Sequence, residues 1–172
     1  MRGGDDADLR ASAQEAAAST VRTVPSVDLQ RYGGMWYEIA NYPMVFQRNC
    51  VGDTTAHYMP RKDGSIEVLN RCRNKKGGID EADGQASVVP GSGNAKLEIS
   101  FFWPFKGDYW IIGLDPDYRW AVVGSPTRKY LWILSRTPSL PEGELKKALD
   151  AARAQGYDLK ALRYTAQSKA KE

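Results

Sequence analysis

Two cysteines and one histidine among 172 residues leave the sequence poor in the side chains that build metal centres and reactive sites. A typical structural zinc site needs four Cys or His ligands, so we expect no metal and no cofactor. No apolar run reaches the length of a membrane-spanning helix, and no signal-peptide core is visible. The 24 basic and 21 acidic residues are nearly balanced, and no dense basic run is present. Nucleic acid is therefore not expected as a partner.

The length is sufficient for one domain with a real hydrophobic core. Residues 1–23 are rich in Ala, Ser, Asp and Arg and contain no aromatic residue, so we expect a flexible leader, either native or added. The domain is predicted over residues 24–167, and residues 168–172 form a charged tail. An export or anchor segment is expected to have been lost upstream.

Eight segments with strand character follow at short, even spacing, separated by turn signals such as Asp63-Gly64 and Asp115-Pro116. This spacing is typical of an all-β up-and-down barrel or a sandwich. One helix follows, with Ser139 and Glu142 predicted as a capping box and Gly156 as its stop. Residues 159–164 are predicted as a last short strand. The eight main segments are 34–40, 54–59, 66–72, 79–89, 95–102, 109–114, 119–125 and 129–136.

Trp36 is the large aromatic residue around which the chain is predicted to be organised. Gly34 precedes it by two residues and lets backbone or a bulky side chain approach closely. Far downstream, Arg136 ends an apolar strand and can lay its guanidinium over the indole face. The pair is therefore predicted to close one end of a barrel, a structural role.

The set Gly34-Met35-Trp36, the turn 115–118, Arg136 and the helix that follows resembles a lipocalin. The segments 35–40 and 130–138 resemble, more narrowly, the bacterial outer-membrane lipocalin group that also includes plant temperature-induced lipocalins and apolipoprotein D. The resemblance covers residues 24–167.

This resemblance implies an eight-stranded antiparallel up-and-down β-barrel with one C-terminal α-helix packed outside, closed at the Trp36 end. It implies binding of a fatty acid, lysophospholipid or similar lipid, with a role in envelope lipid transport or maintenance. It places the protein in the periplasm or outer membrane of a Gram-negative bacterium, as a monomer or weak homodimer. Bacterial members commonly carry an acylated N-terminal cysteine, and this sequence has none at its start, so membrane association would need an upstream anchor.

The residues that period-two alternation places on the inner face of each strand form the predicted cavity lining, which mixes small and aromatic side chains. The alternative is that some of these residues pack against one another and leave little space. The predicted lining is Ala56, Tyr58, Val68, Ala86, Leu97, Ile99, Phe101, Tyr109, Ile111, Ala121, Val123, Tyr130 and Trp132.

The cavity mouth is predicted to combine apolar and basic side chains. Met44 and Phe46 lie in an apolar loop, where they either contact ligand or fold back as a lid. Arg48, Arg71 and Arg73 are candidates for holding an anionic head group.

Cys50 and Cys72 lie at the outer ends of the first hairpin with the same parity, so a modest bulge would bring them together. We predict a disulfide, with two free thiols or a metal site as alternatives. His57 falls on the outward face and is expected to be a solvated surface residue.

Binding without catalysis is the preferred interpretation, and two alternatives stay open. Glu38 shares the parity of Trp36 and is either a hydrogen-bonded interior carboxylate, paired with Arg136 or another donor, or the acid of a lipid-modifying enzyme or isomerase. The second alternative is a protein-interaction module that uses Met44, Phe46 and the corner 103–105.

Overall fold

The computed structural model describes residues 20–43, 49–101 and 106–171. Its helices are α1 (Leu29–Tyr32) and α2 (Glu142–Ala154), with 3₁₀ turns at Leu159–Ala161 and Ser168–Lys171. Its strands are β1 (Gly34–Asn41), β2 (Cys50–Pro60), β3 (Ile66–Asn74), β4 (Ile79–Val88), β5 (Lys96–Ser100), β6 (Gly107–Leu114), β7 (Trp120–Gly124), β8 (Leu131–Ser135) and β9 (Arg163–Tyr164).

The first eight strands form a closed antiparallel barrel in which each strand pairs with the next along the chain. β8 returns to pair with β1, so the sheet has no free edge there, and β9 adds to β1 from outside. The alternation that predicted the strands is visible in β2, where Thr54, Ala56 and Tyr58 are buried and His57 is exposed. The predicted eight-stranded barrel with one C-terminal helix is confirmed.

Apolar side chains form two clusters, one inside the barrel and one between the barrel and α2. The helix contributes Ala148 and Ala152, both fully buried, to the outer cluster. Gly113 on β6 lets the helix approach, because a Cβ there would lie 2.8 Å from the Cβ of Ala151. Val21 is also buried in the outer cluster, so the chain is already packed on the barrel three residues before the predicted domain start. Residues 1–19 of the predicted leader lie outside the described residues.

The closed end is built around Trp36, whose side chain is fully buried. The Arg136 guanidinium carbon lies 3.8 Å from the centre of the indole ring. Trp36 Nε1 donates to the Tyr32 carbonyl at 2.8 Å, so the buried indole N–H is satisfied. Gly34 has a φ of 95°, a conformation that favours glycine.

Every nitrogen of the Arg136 guanidinium donates to a backbone carbonyl. Nη1 donates to Met35 at 3.0 Å, Nε to Tyr118 at 3.3 Å, and Nη2 to Arg31. These acceptors lie on β1, on the turn before β7 and on α1. Arg136 therefore joins three separate parts of the chain across the closed end, in addition to the stacking on Trp36 that the sequence predicted.

The predicted capping box at the start of α2 is wrong. The helix begins at Glu142 with Pro141 as its N-cap and without a side-chain cap hydrogen bond. Proline disfavours helical backbone at the residue before it, so Leu140 cannot continue a helix started at Ser139. The predicted stop is correct, because Gly156 follows the helix with a φ of 86°.

The segment after α2 contains less strand than predicted, since a 3₁₀ turn occupies Leu159–Ala161 and β9 has only two residues. The chain then crosses the seam between β1 and β2. The β1–β2 ladder runs from Gly34 opposite Tyr58 to Tyr37 opposite Thr55. Gln167 Nε2 donates to the carbonyls of Glu38 and Thr54, both at 2.9 Å.

Cys50 and Cys72 form the predicted disulfide, with their Cα atoms 5.5 Å apart. The β2–β3 register shifts twice between Cys50 and Thr55, at the place where the sequence predicted a bulge. Asp53, within the irregular stretch, has a φ of 54°.

Removing the disulfide with the double substitution Cys50→Ser and Cys72→Ser should lower the free energy of unfolding by about 3 kcal/mol, because the unfolded chain gains loop entropy. Urea denaturation measures this change. Dithiothreitol should destabilise the unsubstituted protein by a similar amount and leave the double variant unchanged; equal stability of the two proteins would contradict the prediction.

Arg136→Lys should lower the free energy of unfolding by on the order of 2 kcal/mol, because an ammonium cannot stack flat on the indole and reach all three carbonyls. Affinity for a lipid probe should change less than about twofold where both proteins are folded. Arg153→Lys is the control, since Arg153 pairs with Asp150 on the exposed face of α2. A loss of affinity without a loss of stability would contradict the structural role.

Candidate functional site

A cavity of about 70 Å³ lies inside the barrel at the end away from Trp36. Its lining consists of Glu38, Thr54, Thr55, Ala56, Tyr58, Asn70, Ile99, Phe101, Gly107, Asp108, Tyr109, Tyr130, Trp132 and Leu134.

The structure brings about half of the predicted lining to this cavity. The other predicted side chains pack against one another in the inner cluster and are at most 3% exposed. At the cavity are Ala56, Tyr58, Ile99, Phe101, Tyr109, Tyr130 and Trp132. In the packed layer are Val68, Ala86, Leu97, Ile111, Ala121 and Val123.

Several lining residues are missing from the predicted set, although the sequence carried a signal for some of them. Thr54 and Asn70 share the inward parity of Ala56 and Val68, and Leu134 shares that of Trp132. Thr54 and Asn70 are omitted when lining residues are selected for apolar character, because both side chains are polar. Gly107 and Asp108 lie at the start of β6, beyond the predicted strand.

Tyr58 and Tyr109 form the cavity floor, and their hydroxyls form a cluster with that of the buried Tyr32. The hydroxyls of Tyr32 and Tyr109 lie 2.6 Å apart, and Tyr109 donates to the Tyr58 hydroxyl at 2.8 Å. Burial raises the pKa of all three hydroxyls, so they remain protonated at neutral pH. The hydroxyls satisfy one another, and the ring of Tyr32 packs on Trp36 with the ring centres 5.1 Å apart.

The two sides of the cavity differ in polarity. β1, β2 and β3 contribute Glu38, Thr54, Thr55 and Asn70. The segments around β5 and β8 contribute mainly apolar and aromatic side chains, namely Ile99, Phe101, Tyr130, Trp132 and Leu134. An elongated apolar molecule can therefore lie against one side while a polar group faces the other.

Glu38 is the buried carboxyl group of the polar side, only 5% exposed. Thr165 Oγ1 donates to Glu38 Oε2 at 2.7 Å, so the partner is this hydroxyl and not Arg136. Burial raises the pKa of Glu38 from its ordinary value near 4.5 to about 7, against the opposing hydrogen bonds from Thr165, Asn41 and Thr54. Glu38 and Thr54 also line a groove on the outside of the β1–β2 seam.

The predicted basic mouth is not assembled by the described residues. Arg71 pairs with Glu81 at 2.9 Å and Arg73 with Asp53 at 3.1 Å, and neither lines the cavity. Both occupy the outward parity of β3, opposite to that of Asn70. The other predicted mouth residues, Met44, Phe46 and Arg48, and the corner 103–105 lie outside the described residues.

Within the ranges that the structure describes, no group of three or more His, Cys, Asp or Glu side chains could hold a metal ion. Across the same ranges, no helix combines the length and apolar character needed to cross a membrane.

The family model described as a lipocalin-like domain matches residues 27–167, which is most of the chain. The chain is a lipocalin. Members of this family bind small hydrophobic ligands. The family resemblance predicted from the sequence is thereby confirmed.

Two curated relatives share about two fifths of their residues with this lipocalin. Temperature-induced lipocalin-1 of Arabidopsis thaliana is 40% identical over 86% of this chain and 83% of its own length. The outer membrane lipoprotein Blc of Vibrio cholerae is 41% identical over 86% of this chain and 87% of its own. Insecticyanin of the tobacco hornworm Manduca sexta superposes with a TM-score of 0.71 at 21% identity, covering 87% of this chain and 86% of its own, and so shares the fold.

Glu38→Gln should stabilise this lipocalin more at pH 8 than at pH 5. A raised pKa means that the folded state holds the proton more tightly, so stability is full below about pH 4.5 and falls as pH rises through 7. Gln cannot ionise and escapes this loss, which amounts to roughly 2–3 kcal/mol between the two pH values.

Urea denaturation of both proteins at each pH gives the difference. Glu98→Gln, on the exposed face of β5, is the matched control and should show no such dependence. A difference between the Glu38→Gln variant and the unsubstituted protein that is the same at both pH values would contradict the prediction.

Proposed function

We propose that this lipocalin binds and carries or stores one small hydrophobic molecule, such as a fatty acid, lysophospholipid or similar lipid, in the barrel cavity. The observation that carries the proposal is a cavity with an apolar, aromatic side inside a barrel that is closed at one end. Family membership supports the same function.

Apolar burial would supply the driving force. Each methylene group transferred from water to the apolar side contributes about 0.8 kcal/mol, so a long acyl chain can bind usefully after the costs of association. The small side chain of Ala56 leaves space beside the larger ones for such a chain. The predicted lining residues at the cavity are proposed as the ligand contacts.

We propose binding without catalysis. Among the described residues, the cavity lining contains no Ser, Cys or His that could act as a nucleophile beside a base. Glu38 is already engaged by Thr165 on the wall. These features support a binding protein over the lipid-modifying alternative.

A place in the Gram-negative envelope, in lipid transport or maintenance, is proposed from likeness to proteins whose name is outer membrane lipoprotein. Membrane association would then use an anchor upstream of the sequence given. We further propose a monomer or weak homodimer.

Ala56→Phe should reduce affinity for monoolein at least about tenfold by filling the cavity, as a benzyl group occupies space that the chain needs. Binding is followed by intrinsic tryptophan fluorescence, because Trp132 lines the cavity. His57→Phe is the matched control, because residue 57 is exposed on the opposite face of the same strand.

Far-UV circular dichroism checks that each variant folds, and Ile99→Trp is a second filling variant should Ala56→Phe not fold. Lipid extraction of the purified protein followed by mass spectrometry gives an independent readout. Unchanged affinity in folded filling variants would overturn the cavity as the binding site.

A further inference from the structure

The charges around the cavity are unfavourable for a site expected to receive fatty acids. Among the described residues, its lining includes two carboxylates, Glu38 and Asp108, and no lysine or arginine. The arginines on the adjoining strand, Arg71 and Arg73, form ion pairs with Glu81 and Asp53. An anionic head group inside the cavity would therefore meet negative charge without a described counter-ion.

The two carboxylates are not equivalent. Asp108 is exposed at the start of β6, where water screens its charge. Glu38 is 5% exposed and lies on the polar side beside Thr54. Charge interactions are stronger in such a buried setting than in water, so Glu38 dominates the field that a ligand in the cavity experiences.

The position of Glu38 on the cavity wall suits a particular kind of amphiphile. A chain lying along Ile99 and Phe101 can turn its polar end toward Glu38 on β1, because β5 faces β1 across the barrel. A protonated amine there gains a counter-ion, whereas a carboxylate of the same chain length loses hydration and is repelled. A hydroxyl can donate to the carboxylate without bringing a charge.

We propose that the cavity selects amphiphiles whose polar end is a protonated amine, with Glu38 as the counter-ion, over the fatty-acid anion of the same chain length. This proposal rests on the proposed function, since it names the class of ligand that the cavity prefers. It replaces the head-group role that the sequence suggested for Arg71 and Arg73.

The preference has a pH dependence that follows from burial. The pKa of Glu38 lies at about 7, so its negative charge grows between pH 6 and pH 8, while an alkylamine stays protonated. Amine affinity should therefore rise and fatty-acid affinity should fall with pH. Among the described residues, the other titratable or charged groups that share the cavity or the outer groove with Glu38 are Tyr58 on β2, Asp108 and Tyr109 on β6, Tyr130 before β8, and Arg163 and Tyr164 on β9.

The test compares oleylamine, oleic acid and oleyl alcohol, which share one chain and differ in the polar end. Each is titrated, below its aggregation limit, against the full chain at pH 6 and pH 8, with cavity tryptophan fluorescence as the signal. At pH 8 the amine should bind at least about tenfold more tightly than the acid, and the ratio should shrink at pH 6. Glu38→Gln should bring the two dissociation constants within about threefold at both pH values.

Glu98→Gln, the same change on the exposed face of β5, should leave the ratio as in the unsubstituted protein. The pH series on the unsubstituted protein keeps the proposal testable if the Glu38→Gln variant does not fold. If the alcohol binds and the acid binds as tightly as the amine or more tightly at pH 8, the amine preference is overturned. The proposed lipid-binding function still stands in that case. Failure of all three compounds to bind overturns both.

Discussion

The stacking of Arg136 on Trp36 is the contact on which the cavity depends, because it closes one end of the barrel. Even partial burial of a guanidinium is costly unless its donors are satisfied. Here each of its nitrogens meets a backbone carbonyl, and the indole covers one face of the cation. Since these carbonyls belong to β1, α1 and the turn before β7, the stack fixes how three separate segments meet. The cavity lies toward the other end of the barrel.

Above this closure the interior is divided into a filled layer and an open one. The filled layer contains side chains such as Val68, Ile111 and Val123, whose close packing stabilises the fold. The hydroxyls of Tyr58 and Tyr109 mark its upper boundary, because they satisfy each other and need no water. The open layer therefore begins on an aromatic floor whose polar atoms are already paired. The layer that stabilises the fold and the layer that contains the cavity therefore lie at different positions along the barrel axis.

Sequence patterns predict the barrel, its closure at Trp36 and which way a side chain points, but not the height at which that side chain lies. Period-two alternation correctly placed Val68 and Ala56 on the inner face, yet Val68 belongs to the filled layer and Ala56 to the cavity. That difference depends on strand stagger and on what fills the floor, which are properties of the closed sheet. The hydrogen-bond partner of Glu38 could not be predicted from the alternation within β1, because Thr165 comes from the end of the domain.

The polar side of the cavity has a structural origin in the seam between β1 and β2. Their ladder runs as far as Tyr37 opposite Thr55, and beyond it the carbonyls of Glu38 and Thr54 face a gap. Gln167 fills that gap and donates to both carbonyls, while a neighbouring threonine hydroxyl holds the Glu38 carboxyl. If β1 and β2 were paired along their whole length, Gln167 and Thr165 would have no room to reach the backbone and carboxyl groups of Glu38. The opening that the C-terminal segment seals is therefore the same feature that places a buried, titratable carboxyl beside the cavity. Barrel closure and the proposed amine selectivity are thus linked through β1.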